Sequence, residues 1–192
     1  MSTYLSPYAG RGNYLRAAQR LVAFRPDFVI LPDLSQDTLQ QIRLLRTAYD
    51  GPVAGGDNWS VDGSVMGWKE LSNAYWLSFW HAESVGDAAL SFARGYRDRF
   101  GRDPSALAAI AHDGGNRLLA ALDGAKSGSP TAVRDALAGI RTMNGVAGLY
   151  QFSDGKVLKD AWIMRLEEGA MRLMGTLKPG IGFLPPTAPE KP

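Results

Sequence analysis

The chain of 192 residues contains no cysteine and only two histidines, His81 and His112. The missing thiols exclude disulfides, thiol catalysis and cysteine-ligated zinc or iron–sulfur sites at once. Two isolated histidines give no HExxH-type spacing, so neither a metal nor a cofactor is expected. An excess of one charge is also missing: 21 Lys and Arg face 19 Asp and Glu, interspersed along the chain. Nucleic acid selects clustered cations, so no nucleic-acid partner is expected. No apolar run approaches the roughly 18 residues of a membrane span, which argues against membrane insertion. The opening "MSTYLSPYAGRGNYLRAAQR" has no basic segment followed by an apolar run, so no secretory signal is expected in it. Glycine-rich phosphate loops are absent too, since "AGGDNWS" fits neither GxGxxG nor GxxxxGK(S/T).

What is present reads as an ordinary globular composition, 45% hydrophobic and 21% charged. Residues 13–24, "NYLRAAQRLVAF", place Tyr14, Leu15, Ala18, Leu21 and Val22 on one helical face. Arg25-Pro26-Asp27 ends that helix, and "FVILP" follows as an apolar run expected to be a strand buried on both faces. "SQDTLQQIRLLRTAY" predicts a second helix, capped by Ser35 or Asp37, with Leu39, Ile42 and Leu45 inward. "GPVAGG" predicts the next strand and opens the loop "DNWSVDGS"; Asn73–Trp80 is an aromatic third strand. Helix, strand, helix, strand with short connections implies a parallel, doubly wound α/β sheet.

Ser84 is the expected cap of a long helix carrying Val85, Phe92, Tyr96 and Phe100. "GRDPS" separates it from the helix holding "AIAHDGGNRLLAAL", and Pro130 opens another. The remainder changes character. "GVAGLYQF-SDGK" and "DAWIMRLEEGAMRLMG" predict strands joined by Asp-Gly and Glu-Gly turns, and "GIGFLPPTAPEKP" predicts a poorly ordered Pro-rich tail.

Candidate chemistry is sparse. His112 and Asp113 are helix neighbours pointing about 100° apart, so they cannot form a triad-type hydrogen bond with each other. Asn116 is the polar neighbour on the face of His112, and Asp113 has Arg117 at the routine i+4 position. No nucleophile elbow accompanies them, so a small hydrolase-like enzyme using His112 is a disfavoured alternative and no catalytic residue is assigned. Gly114-Gly115 inside a helical pattern implies close approach of either a neighbouring element or a ligand. Of the five tryptophans, Trp59 stands out. It lies in the loop after a buried strand, where open α/β sheets bind ligands, and a Gly-Gly-Asp-Asn loop is a poor place to bury an indole.

"FARGYRDRFGRDPSALAAIAHDGGNRLLAALDGA" resembles the late helix pair of the branched-chain amino-acid-type solute-binding proteins of ABC transporters. That family carries a "YxxxYGxxPxxxAxxxYDAxxLLxxAL" pattern, matched here by Tyr96, Phe100-Gly101, Pro104 and His112-Asp113, with Leu118-Leu119 one position beyond its paired leucines. The stretches "YLRAAQRLVAFRPDFVILPDLSQDTLQQIRLLRTAYDGPVAGG" and "VRDALAGIRTMNGVAGLYQFSDGKVLKD" are similar to the family's flanking segments, in the same order. The resemblance implies a partial type I periplasmic binding fold with a C-terminal β-hairpin region, covering only the family's second half.

By that resemblance, residues 1–82 form the second-lobe sheet portion and 83–145 the helices that belong in the family to the first lobe. Residues 146–178 would be crossover strands and hairpin, and 179–192 the Pro-rich tail. The implied ligand-binding residues are Leu34 and Ser35 after the first strand, Asp57, Asn58 and Trp59 after the second, Asn73, and His112 in place of a cleft tyrosine. Asn73 falls where amino-acid binders often place a glutamate for the ligand ammonium; its lack of charge favours an aromatic or other carboxylate over a plain α-amino acid. The implied function is non-enzymatic: a fragment of a solute-binding component taking an amino acid or aromatic carboxylate in an interlobe cleft, in the periplasm, for an ABC permease. A ligand-sensing regulatory domain of the same fold is the alternative. The implied partners include a missing N-terminal lobe or a second copy of the chain, to cover helices left without their sheet.

Overall fold

The computed structural model describes residues 11–32, 35–57, 59, 69–81 and 86–185. Helices α1 (Arg11–Ala23), α2 (Ser35–Leu45), α3 (Asp87–Phe100), α4 (Ala106–Gly124) and α5 (Pro130–Gly139) accompany nine strands. These are β1 (Val29–Ile30), β2 (Val53–Gly55), β3 (Ala74–Ser78), β4 (Thr142–Gly145), β5 (Gly148–Ser153), β6 (Lys156–Lys159), β7 (Ala161–Glu167), β8 (Ala170–Lys178) and β9 (Gly182–Leu184). One sheet runs β1-β2-β3-β7-β8-β9 and a second runs β4-β5-β6. The expected α/β class holds, with a parallel part in β1–β3 and antiparallel pairing of β8 with β9.

Two compact units divide the chain, residues 1–78 with 163–175, and residues 79–162 with 176–192. In the first, Val29 pairs with Val53 and Val53 with Ala74, which places the apolar segments side by side in register. Helices α1 and α2 pack on each other. Tyr14, Ala17 and Ala18 are the buried face of α1, whereas Leu15 is exposed. Thr38, Gln41, Ile42 and Leu45 are buried on α2, and Leu39 only partly. The expectation that "FVILP" is covered on both faces is corrected: Val29 and Leu31 are buried while Phe28 and Ile30 are 59% and 60% exposed. The alternation is that of an edge strand with one covered face, and β1 ends the sheet order.

Arg46 ties the amino ends of this sheet together. Its guanidinium donates to the carbonyls of Tyr49 at 3.0 Å, Gly51 at 2.6 Å, Glu70 at 3.1 Å and Ser72 at 2.7 Å. A planar fork of donors can serve four loop carbonyls at once, which a lysine ammonium cannot. Burial against these loops lowers the pKa of Arg46 from its ordinary value.

The second unit is built on small side chains. Ala89 and Ala93 of α3, Ala109 of α4 and Ala147 of the β4–β5 turn form a buried cluster with Trp80 and Tyr150. Alanines allow close backbone approach, and Phe92, Ile110, Met143 and Phe152 pack against the two buried rings. Helix α3 begins after Gly86, at φ 74° with no side-chain cap; Ser84, the expected cap, and Val85 lie outside the described residues. Ser105 and Ser129 cap α4 and α5 by accepting from Ala108 N and Ala132 N, and Pro130 stands at the first turn as expected. The Asp-Gly and Glu-Gly turns form as expected, with Asp154, Gly155, Glu168 and Gly169 all at positive φ. Part of the expected disordered tail is strand β9, paired with β8 from Thr176↔Leu184 to Lys178↔Gly182.

Candidate functional site

In an open parallel sheet, ligands are met at the carboxyl ends of the strands. In the first unit those ends carry Leu31 after β1 and Gly55, Gly56 and Asp57 at the end of β2. Trp59 closes over them. Its indole Nε1 donates to Leu31 O at 2.9 Å and its backbone N to Gly56 O at 3.3 Å. The ring lies directly on Gly55, where an added Cβ would collide with the indole carbons. Trp59 is therefore 5% exposed. The expectation of an indole left open to a ligand is corrected: the missing side chain at Gly55 makes the room, and Leu31 satisfies the N–H. Asp57 beside it is exposed.

The other expected residues separate. Leu34 and Asn58 lie outside the described residues, and Ser35 is the first residue of α2, its side chain likewise outside them. Asn73 is not brought to this edge. It sits in the left-handed region at φ 59°, immediately before β3. Its carbonyl accepts from Val53 N at 3.1 Å and its amide reaches Asp50 O at 3.5 Å. That is the amino end of the parallel strands, a strand length from Gly55.

His112 belongs to the second unit, half exposed on α4. Its Nδ1 lies 3.3 Å from Asn116 Nδ2 and 3.6 Å from Asp113 Oδ1, and its ring centroid is 4.9 Å from that of Phe92. Asp113 is not the expected surface partner of Arg117. It is 1% exposed, and its carboxylate accepts from Val146 N and Ala147 N at 2.8 Å each and from Tyr150 Oη at 2.9 Å. Gly145 permits this approach, because a Cβ there would strike the carboxylate. Burial and the hydrogen bond to Asp113 hold the Tyr150 hydroxyl above its ordinary pKa. Arg117 instead donates to Leu137 O at 3.0 Å and lies 3.5 Å over the Phe152 ring. Three hydrogen bonds hold the Asp113 carboxylate to the hairpin, and His112 Nδ1 stays 3.6 Å from it, so the orienting hydrogen bond of a catalytic His–Asp pair is not made.

Gly114 and Gly115 meet nothing within 4 Å of an added Cβ, so the expected close approach does not occur. They lie on an exposed stretch of α4 bordered by Leu107, Leu118, Leu119 and Leu122, which are 71%, 45%, 59% and 46% exposed. Lys159 is the residue that sequence reading missed altogether. It ends the short strand β6 half-buried, with its ammonium 5.4, 5.2 and 4.8 Å from the ring centroids of Phe79, Tyr150 and Trp162, and of these Phe79 lies far from it in the sequence. Among the described residues no group of three or more His, Asp or Glu could hold a metal ion. The polar groups at hand offer hydrogen bonds and ring faces, the chemistry of binding.

Residues 4–170 match the sequence profile of the periplasmic binding protein family. No curated protein matches the chain. Among solved structures, a leucine-binding protein from Thermotoga maritima superimposes with TM-score 0.79 at 19% identity, over 86% of this chain and 49% of that one. A branched-chain amino acid transporter substrate-binding protein from Streptococcus pneumoniae, in complex with isoleucine, gives 0.74 at 23%, over 89% and 48%. A solute-binding protein of an ABC transporter from R. palustris, in complex with benzoate, gives 0.73 at 16%, over 98% and 51%. The chain thus spans about half the length of these solved relatives, all of them binding proteins. With more than three quarters of its residues inside the family profile, the chain belongs to the periplasmic binding protein family.

Proposed function

We propose that this chain is the C-terminal portion of the substrate-binding component of an ABC transporter, working in the periplasm and handing a small organic solute to its permease. The observation that carries this reading is the superposition of nearly the whole chain on solute-binding proteins for leucine, isoleucine and benzoate. The solute meets the carboxyl edge of β1 and β2, where Asp57 stands exposed beside the buried Trp59. Asn73, whose lack of charge favours a carboxylate without an ammonium, lies at the other end of its strand. With Asn73 set aside, the charge at this edge is the Asp57 carboxylate, which suits an ammonium-bearing solute. An amino acid is therefore the favoured ligand class and Asp57 its ammonium partner.

The test is a thermal-shift titration with leucine, isoleucine and benzoate, run on the chain alone and on the chain joined to the first half of a family member. An amino acid should raise Tm saturably, and Asp57→Asn should remove that shift. A shift with benzoate alone would overturn the choice of ligand class. No saturable shift from any of the three, in either form, would overturn the binding reading itself.

A further inference from the structure

The backbone passes between the two compact units three times, at Ser78–Phe79, Trp162–Ile163 and Gly175–Thr176. One lysine reaches toward these passages from inside the second unit. Lys159, the last residue of β6, donates through Nζ to Phe79 O at 2.8 Å and to Asp160 O at 3.1 Å. Phe79 is the first residue after the first passage. The same ammonium lies 5.4 Å from the ring centroid of Phe79, 5.2 Å from that of Tyr150 and 4.8 Å from that of Trp162. Trp162 is the last residue before the second passage. Beyond the third, Lys178 places its Nζ 3.8 Å from Asp160 Oδ2. All six residues belong to the second unit, and two consecutive ones, Lys159 and Asp160, touch all three crossing segments.

We propose that Lys159 and Asp160 form a fastening that holds the three crossing segments at fixed spacing, with Lys159 acting as a positioning residue. Two carbonyls and three ring faces fix the ammonium from several directions, which a hydrophobic side chain of equal length would not do. Stability alone does not account for it. Burial pushes the Lys159 ammonium down to about 8, against the opposing pull of Asp160 and Asp113, so the charge is held there at a cost to the folded state. A buried charge that costs stability yet gathers three segments fits a role in fixing geometry. This inference does not depend on which solute is bound.

The test is amide hydrogen exchange on the whole chain with Lys159→Met, which keeps the length and apolar contact but removes charge and donors. Exchange at Trp80, His81, Asp160 and Ala161 should quicken at least tenfold, while Val146, Ala147 and the α4 amides keep their protection and Tm stays level or rises. Asp160→Asn, which leaves Lys159 in place, should quicken Thr176, Leu177 and Lys178 instead. It keeps the test decisive if Lys159→Met fails to fold. A uniform rise across the second unit in the variants that fold would reduce these two residues to ordinary packing. Unchanged exchange at the crossings would equally overturn the proposal.

Discussion

At the scale of single residues, Asp113 carries the clearest load in the second unit. A carboxylate accepting three hydrogen bonds from a turn and a tyrosine cannot be replaced by its amide without turning an acceptor into a donor. Asp113→Asn leaves Val146 N, Ala147 N or Tyr150 Oη facing another N–H in a buried place. The expected loss is about 2–4 kcal/mol, the range for buried bonds to a charged group plus an orphaned donor. Urea unfolding of the variant should show the midpoint falling with an unchanged slope. A midpoint within error of the parent would mean that the turn stands without the carboxylate. Tyr150→Phe, which frees one carboxylate lone pair and strands no donor, should cost about 1 kcal/mol.

Elements show why some of this architecture was legible in the sequence. Turn and cap signals act over two or three residues: Asp154-Gly155, Glu168-Gly169 and Ser129-Pro130 adopt the conformations their side chains favour. The positions that misled are those whose surroundings come from far along the chain. Trp59 is buried because Leu31, 28 residues away, offers a carbonyl. Asp113 is buried because a hairpin more than 30 residues on turns its amides toward it. Family resemblance points to Asn73 as a site residue, while its place immediately before β3 puts it at the amino end of that strand. Helix α4 exposes a row of leucines that nothing among the described residues covers. We propose that the first half of a family member's fold covers Leu107, Leu118, Leu119 and Leu122, given that the chain spans half the length of its solved relatives. Unscreened leucines at a joint contribute roughly 1.5–3 kcal/mol each on full burial. Leu118→Lys with Leu122→Lys should therefore abolish binding of a separately expressed first half in sedimentation experiments. The helical circular dichroism of the chain should persist, because the buried face of α4 is Ala109, Asp113 and Ala121. Self-association lost in the same variant would instead identify a second copy as the occupant.

For the whole molecule, two buried groups set opposite slopes of stability against pH. Lys159 titrates near 8 in the fold against an ordinary value of 10.5. Below pH 8 both folded and unfolded chains hold its proton, and the folded state bears the full cost of the buried charge. Between pH 8 and 10.5 the unfolded chain keeps a proton the folded chain has released, so stability from this group rises with pH. Tyr150 runs the other way, since burial and Asp113 raise its pKa above the ordinary 10. Above pH 10 the unfolded chain loses a proton the folded chain retains, and stability falls. Urea midpoints measured from pH 7 to 11 should climb from about pH 8, pass a maximum near pH 10 and then drop. The climb should amount to about 1 kcal/mol, because solvent reaches part of the ammonium and three ring faces favour the cation. Lys159→Met should remove the climb and leave the drop, whereas Tyr150→Phe should flatten the drop and leave the climb. If the Lys159→Met profile kept its rise, the buried ammonium would not be its source.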